Sequence, residues 1–424
     1  MRNRVWLLAT LIGSTILPAH LGTPAFCQSR GASNAPRVLL GGKVYVSPEA
    51  EPLLDGAVVI QDGKIAAVGP KASIKLPSGV ETLDCSGLII TAGFWNNHVH
   101  FMERKWADAA RIPAAELEAQ LEAMLTRYGY TSVFDTGSIW ENTRRLRDRI
   151  ESGEVLGPRI RSTGQIIFPK GAAAPDVVPD VLGFMRNQYM EVADAAEASA
   201  ASKRLLDEGV DGIKLYSQIF WPPRTPLPEG AIEAAVREAH ARGKPAFAHP
   251  TSREGLLASV KGGVDVLVHT TPQSPRWDET VITAMQERKV ALIPALKLWK
   301  YELRHDRISA QKGFVAAGVA QLKDWIAARG TVLFGTDVGY VSDYDPSDEY
   351  ALMAQAGMSF RQILATLTTA PAGRFGEADQ QGRIAAGLAA DLVVLHGDPA
   401  KDVRNFAAVR YTIRGGRIIY GVRD

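Results

Sequence analysis

Beyond a leading segment, hydrophobic and polar positions first alternate with a period of two. The runs RVLLGGKVYV, DGAVVIQDGKIAAVG and ETLDCSGLIITAG carry that period, which marks half-buried strands. Gly41-Gly42, Asp55-Gly56 and Asp62-Gly63 punctuate them as hairpin signals. The far end shows the same pattern in GRIAAGLAADLVVLHGD and VRYTIRGGRIIYGVRD. Two β-rich ends around a different middle predict one small β-sandwich domain assembled from residues 37–92 and 376–424.

Between them, at 93–375, buried-type strands alternate with amphipathic stretches. The strands read TSVFDTG, PRIRSTG, VDGIKLY, KPAFAHP, VDVLVHT, VALIPAL and TVLFGTD, and GLIITAGFW brings them to eight. Helical periodicity runs through PAAELEAQLEAMLTRYG, EGAIEAAVREAHARG and ETVITAMQERK. SFRQILATLTTAPAGRFG opens with Ser359 and Gln362 at capping-box spacing. Eight strand-then-helix units predict an α/β fold, a (β/α)8 TIM barrel. The rival is an open doubly wound sheet, but no Gly-rich phosphate fingerprint follows the first strand.

The leading segment has another logic. MRNRVWLLATLIGSTIL sets Arg2 and Arg4 before an apolar stretch short of a bilayer span. Residues 1–27 are expected to be a signal peptide and 28–36 a linker, giving an exported protein, periplasmic or secreted. Cleavage after AFC or after TPA fits the small-residue rule; lipid modification at Cys27 fits less well beside the bulky Phe26. Removal of the signal would leave Cys85 without an intramolecular partner.

Composition narrows the chemistry. A net charge of +2 over 424 residues makes no electrostatic case for nucleic acid or, in the mature form, for a membrane. Two cysteines make neither a disulfide framework nor a zinc-finger spacing.

The polar residues at the strand ends then stand out. His98 and His100 end the first strand, Lys214 the fourth, His249 the fifth, His269 the sixth and Asp337 the eighth. All fall at carboxyl ends, the face on which barrel enzymes build their sites. Residues i and i+2 of a strand share a face, so His98 and His100 form a two-toothed clamp for a metal ion. A single strand-end histidine is ordinarily a hydrogen-bonded core residue; four of the eight in the chain, with an aspartate, make a ligand set. Lys214 reads either as a cation paired with a carboxylate or, carbamylated by carbon dioxide, as an anionic oxygen ligand. Imidazoles and oxygens suit zinc or a similar first-row ion.

With TAGFWNNHVHF, GIKLY, FAHP, VHTT, GTD and the closing TTAPAGRFGEADQQGRIAAGLAADLVVLHGDPAKDV, the chain resembles the amidohydrolase superfamily. The resemblance lies in the imidazolonepropionase-like branch that includes dipeptidases, and it covers nearly everything after the linker. It implies two divalent ions bridged by carboxylated Lys214. His98, His100 and Asp337 would hold the more buried ion, His249 and His269 the more exposed one. Two cations sharing a hydroxide lower the pKa of bound water from ~15.7 towards ~7. Asp337 would pass the proton of that water to a leaving amine, and Tyr216 would donate to the developing oxyanion. The implied reaction is hydrolysis of a carbon–nitrogen bond in a dipeptide, linear amide or cyclic amide.

Two departures bear on substrate. Asn96 and Asn97 precede the HxH pair where relatives often carry aspartate, and the loop IIFPKGAAAPDVVPD after the third strand has no histidine. The Pro-rich SQIFWPPRTPLP after the fourth strand is a candidate rim. Arg104, Arg159 and Arg161 are candidate carboxylate binders with surface solvation as the plainer role, and His240 suits a helix C-terminus. Two other readings remain: a mononuclear aminohydrolase or deaminase, with Glu254 five residues past His249, and a non-catalytic metal- or ligand-binding protein. A homo-oligomer is compatible with the resemblance, although no interface signature stands in the sequence.

Overall fold

A computed structural model describes residues 37–76, 78–171, 190–219, 225–304 and 308–421, without the side chains of residues 308 and 309. The signal and linker segments with Cys27, together with His305, lie outside the described residues. So do most of the loop after the third barrel strand and the middle of the Pro-rich rim.

Both chain ends build one sheet. Leu392–Leu395 lies antiparallel between Ile89–Ala92 and Val409–Arg414, so a late strand sits between an early one and the last hairpin. Leu39, Val44, Val58, Ile60, Ile65, Ile90, Leu392, Val394 and Ile413 form one continuous apolar core on it, with Cys85 buried among them. Asp62-Gly63 is the two-residue hairpin turn the sequence suggests: both residues have positive φ, and Gln61 pairs with Lys64. The other two signals are not turns. Asp55-Gly56 lies inside the strand Leu53–Gln61, where a Cβ on Gly56 would come within 2.4 Å of the Val44 side chain. That glycine serves close packing rather than reversal. Gly41-Gly42 bends the strand Arg37–Val44 at a register shift, so its first half pairs with Glu81–Asp84 and its second with Ile89–Ala92.

The middle of the chain is a closed ring of eight parallel segments. In order they are Phe94–Val99, Tyr130–Asp135, Arg159–Ser162, Ile213–Tyr216, Ala246–His249, Val266–Val268, Ala291–Ile293 and the extended segment 331–337. The last closes the ring: Leu292 donates to Thr331 O on one side, and Asn97 and Asp337 exchange backbone bonds with Phe334 and His98 on the other. Between the third and fourth strands, Asp211 N donates to Ser162 O at 2.7 Å. GLIITAGFW is therefore not a single strand. It splits at Gly93, with Ile89–Ala92 in the end sheet and Phe94 opening the barrel, because a Cβ on Gly93 would strike Thr131 of the neighbouring strand.

Helices cover the ring with ordinary end chemistry. Asp194, Ser252 and Asp278 cap their helices through side-chain oxygens, and Ser359 with Gln362 closes the expected capping box. The long helix expected there breaks at Thr368 into Phe360–Leu367 and Thr369–Arg374. Pro371, which has no N–H to give, falls in the second piece. Inside the barrel, Phe134, Phe247, Val266, Val268, Ala291, Ile293 and Leu333 pack as a solid plug with Phe375 against them. Polar chemistry is thereby confined to the ends. No helix among the described residues is long and apolar enough to cross a membrane.

Candidate metal centre

Strand ends bring the seven sequence-selected residues to one mouth. His98 belongs to the first strand and His100 follows it; Lys214 and Tyr216 lie on the fourth, His249 ends the fifth, His269 follows the sixth, and Asp337 is the last residue of the eighth segment. Asn96 and Asn97 explain how the first and last segments stay in register. Asn96 binds the Thr336 hydroxyl at 2.7 Å and accepts from Thr336 N, while Asn97 donates to Phe334 O at 2.8 Å. These two amides brace the seam beside Asp337. His269 and Asp337 both adopt left-handed backbone, at φ 78° and 62°, conformations that bulky residues hold only where the surroundings impose them.

The carboxylate of Asp337 is the hub. Its Oδ1 lies 3.1 Å from His98 Nε2 and 2.9 Å from His100 Nε2, and its Oδ2 lies 3.6 Å from His269 Nε2. One ligand atom from each of His98, His100 and Asp337 falls within 4.8 Å of the others. The His269 ring stands 4.8 Å from His98 and 4.7 Å from His249, centroid to centroid, so the four imidazoles form one cluster. Lys214 is 1% exposed, and its amine makes no hydrogen bond or ion pair among the described residues. The Tyr216 ring lies flat between His249, at 4.2 Å, and Phe168, at 4.6 Å, as one wall of the mouth.

The electrostatics suit a cation. Burial pushes His98 down to about 3, and burial, reinforced by Lys214 for His249 and by His249 for His269, holds those two well below the ordinary imidazole range. Asp337 stays ionised: burial works against it, but the neighbouring imidazoles hold it well below the usual carboxylate range. Burial lowers Lys214 to about 7 against the opposing pull of Asp337 and Asp135. His98 Nε2, both ring nitrogens of His249, His269 Nδ1 and Asp337 Oδ1 are all buried without a hydrogen-bond partner. Lone pairs left bare inside a protein cost free energy unless something electropositive meets them. The residues present therefore fit a divalent metal.

The far side of the clamp is also fixed. His100 Nδ1 donates to Gly137 O at 2.8 Å, which in the neutral ring leaves Nε2 unprotonated toward Asp337, and His98 Nδ1 meets the Thr136 hydroxyl. Asp135 secures the loop that carries both contacts. Its carboxylate accepts from Ser138 and Ser162 hydroxyls at 2.5 Å each and from the N–H groups of Phe101 and Gly137 at 3.4 Å. Asp135 closes an apolar strand with a carboxylate just as Asp337 does, so the signal that points to Asp337 in the sequence is present there too.

Other candidates fall elsewhere. Glu254, the proton shuttle of the mononuclear alternative, is exposed on the first turn of the helix Arg253–Lys261. Arg159 binds Ser132, Gln381 and Asp391, and Arg161 pairs with Glu377, so both tie the barrel to the segment behind it. His240 sits in the last turn of its helix, 2.8 Å from Asp265.

Comparison with known proteins bears on the family and the fold. A model of the amidohydrolase family matches residues 89–419. Ochratoxinase of Aspergillus niger is 24% identical over 89% of this chain and 85% of its own, and an allantoinase of Deinococcus radiodurans is 27% identical over 84% and 86%. Among solved structures, a putative prolidase from Bifidobacterium longum superposes with a TM-score of 0.78 at 24% identity, covering 92% of this chain and 96% of the other. An Xaa-Pro dipeptidase with bound methionine in its active site gives 0.76 at 21% identity, covering 92% and 100%.

Proposed function

The chain belongs to the amidohydrolase family, and from that premise we propose that it is a metal-dependent hydrolase of carbon–nitrogen bonds in a dipeptide, linear amide or cyclic amide. The observation that carries the reading is the set of buried, donor-free imidazole and carboxylate lone pairs around Asp337. The names of relatives, an allantoinase and an Xaa-Pro dipeptidase among them, support a carbon–nitrogen bond as the target.

In this reading His98, His100 and Asp337 would hold one divalent ion, zinc by its donor set, His249 and His269 would hold a second, and Lys214, as a carbamate, would supply an anionic oxygen ligand. The low Lys214 pKa supports that last step, because the free amine is the form that attacks carbon dioxide. Bound there, the ions would supply Lewis acidity for the substrate carbonyl and a nucleophile from water at neutral pH. Asp337, ionised and facing the cluster, takes the proton of the attacking water and returns it to the leaving nitrogen. Tyr216 donates from the wall toward the oxygen on which charge develops. The plug beneath the imidazoles keeps bulk water away from the proton transfer. We also assign residues 1–27 as an export signal, on the charge and length of that segment.

The test is metal content by mass spectrometry on protein purified without chelators, beside Lys214→Ala, with an amide and dipeptide hydrolysis screen. Near two zinc equivalents per chain, falling sharply in the variant with loss of hydrolysis, is the expected result. One equivalent unaffected by the substitution would overturn the carbamate bridge.

A further inference from the structure

The loops around the mouth hold a carboxylate that hydrolysis does not use. Glu302 ends the helix Lys297–Glu302, which follows the seventh barrel strand. Its Oε1 accepts the phenolic hydrogen of Tyr340. Tyr340 in turn belongs to the tight turn after Asp337, where Tyr340 N and Val341 N both donate to Asp337 O at 3.2 and 2.8 Å. Only glycine fits the position before it: Gly339 has φ 97°, and a Cβ there would lie 1.8 Å from His100 O. The turn is thus pressed against the metal-clamp strand, and Tyr340 carries Glu302 with it. Tyr301 packs edge-on to Tyr340 at 6.1 Å.

The second oxygen of Glu302 has no hydrogen bond or ion pair among the described residues, and the side chain is half-buried. Burial pushes this carboxyl up and the Asp337 charge adds to that push, while the Tyr340 hydrogen bond and the positive charge of Arg304, which lies over the Tyr301 ring at 3.8 Å, pull it down. A half-buried carboxylate flanked by tyrosine rings and short of one partner is an arrangement that takes an ammonium group.

Resting on the hydrolytic reading above, we propose that Glu302, oriented by Tyr340, anchors a positively charged amine of the substrate. The site then takes amides whose acyl part bears a free α-ammonium group. In such a molecule one carbon separates the scissile carbonyl from the charged nitrogen, so a carbonyl seated at Asp337 places its ammonium toward the neighbouring rim. Acylation of that nitrogen removes the charge and leaves Glu302 facing a group it cannot pair with.

The experiment compares L-alanyl-L-phenylalanine with its N-acetyl form on the zinc-loaded full chain, in wild type, Glu302→Gln and Tyr340→Phe. Wild type is expected to favour the free amine by about ten- to hundredfold in kcat/KM, the range for one hydrogen bond to a charged group. Glu302→Gln abolishes the preference chiefly through KM, with the N-acetyl substrate within about twofold of wild type, and Tyr340→Phe reduces it partway. No preference in wild type, or equal loss on both substrates in Glu302→Gln, overturns the anchor. The phosphinate isosteres of the same pair, measured by calorimetry, separate the two ideas. Selective binding of the free-amine isostere without hydrolysis of either peptide would retain the anchor and sink the hydrolase reading. Hydrolysis without selectivity would do the reverse.

Discussion

At His98 and His100 both ring nitrogens have separate work. One nitrogen of each ring faces Asp337, and the other is committed to Thr136 or Gly137. Asp135 holds the backbone that bears those two contacts: it accepts from Gly137 N, whose carbonyl meets His100, and it directly precedes Thr136, which meets His98. Asp135→Asn is expected to leave the fold intact and to weaken zinc retention by about tenfold, the lower end of the range for direct outer partners of a metal ligand, because Asp135 acts one contact further out. Competition with a chromogenic chelator measures it directly, and unchanged affinity would make Asp135 a packing residue only. At this scale the sequence was legible where chemistry is rare. Two histidines two apart on a strand have few explanations, whereas Glu302 and Tyr340 lie 38 residues apart, one ending a helix and one in a turn, and gain meaning only once the Asp337 turn brings them into contact.

Elements carry the next layer. The helix Lys297–Glu302 is fastened from outside by Glu349, whose carboxylate accepts Lys297 N at 2.8 Å while its other oxygen is buried without a partner. Burial raises Glu349 to about 7, against the opposing hydrogen bonds from Lys297 N and Leu296 N. The folded-state pKa therefore exceeds the ordinary 4.5, the folded chain binds the extra proton, and this contribution to stability is complete below 4.5 and lost as pH rises through about 7. Melting curves between pH 5 and 8 are expected to fall toward the alkaline side in wild type and to flatten there in Glu349→Gln; identical slopes would show that the carboxyl stays ionised throughout. Element existence was largely readable because the periods of two and 3.6 are strong. Boundaries were not: the break at Gly93 depends on Thr131 across the sheet, and the extended role of Gly56 depends on Val44. Neither neighbour is near in sequence.

For the whole molecule, the candidate metal centre and the barrel seam are one construction. Asp337 and His98 exchange the closing backbone contact, and their side chains form the hub. An ion bound there crosslinks the first and last barrel segments, so its removal loosens the closure itself. Chelation is expected to lower the melting temperature by roughly 5–10 °C, with recovery on adding zinc back, as linkage requires of a ligand that binds only the folded chain. A melting temperature indifferent to chelator would separate site from seam.

The strand Leu392–Leu395, wedged between Ile89–Ala92 and the final hairpin, also sets a clock. About three hundred residues must be made after Ile89 before its neighbour exists, and at ~5–20 residues per second that wait lasts on the order of tens of seconds. Throughout it the apolar edge of Ile89–Ala92 has nothing to pair with. A ribosome making this chain therefore holds an unfinished sheet until Leu392–Leu395 has been made, with the partner edge of Ile89–Ala92 bare in the meantime.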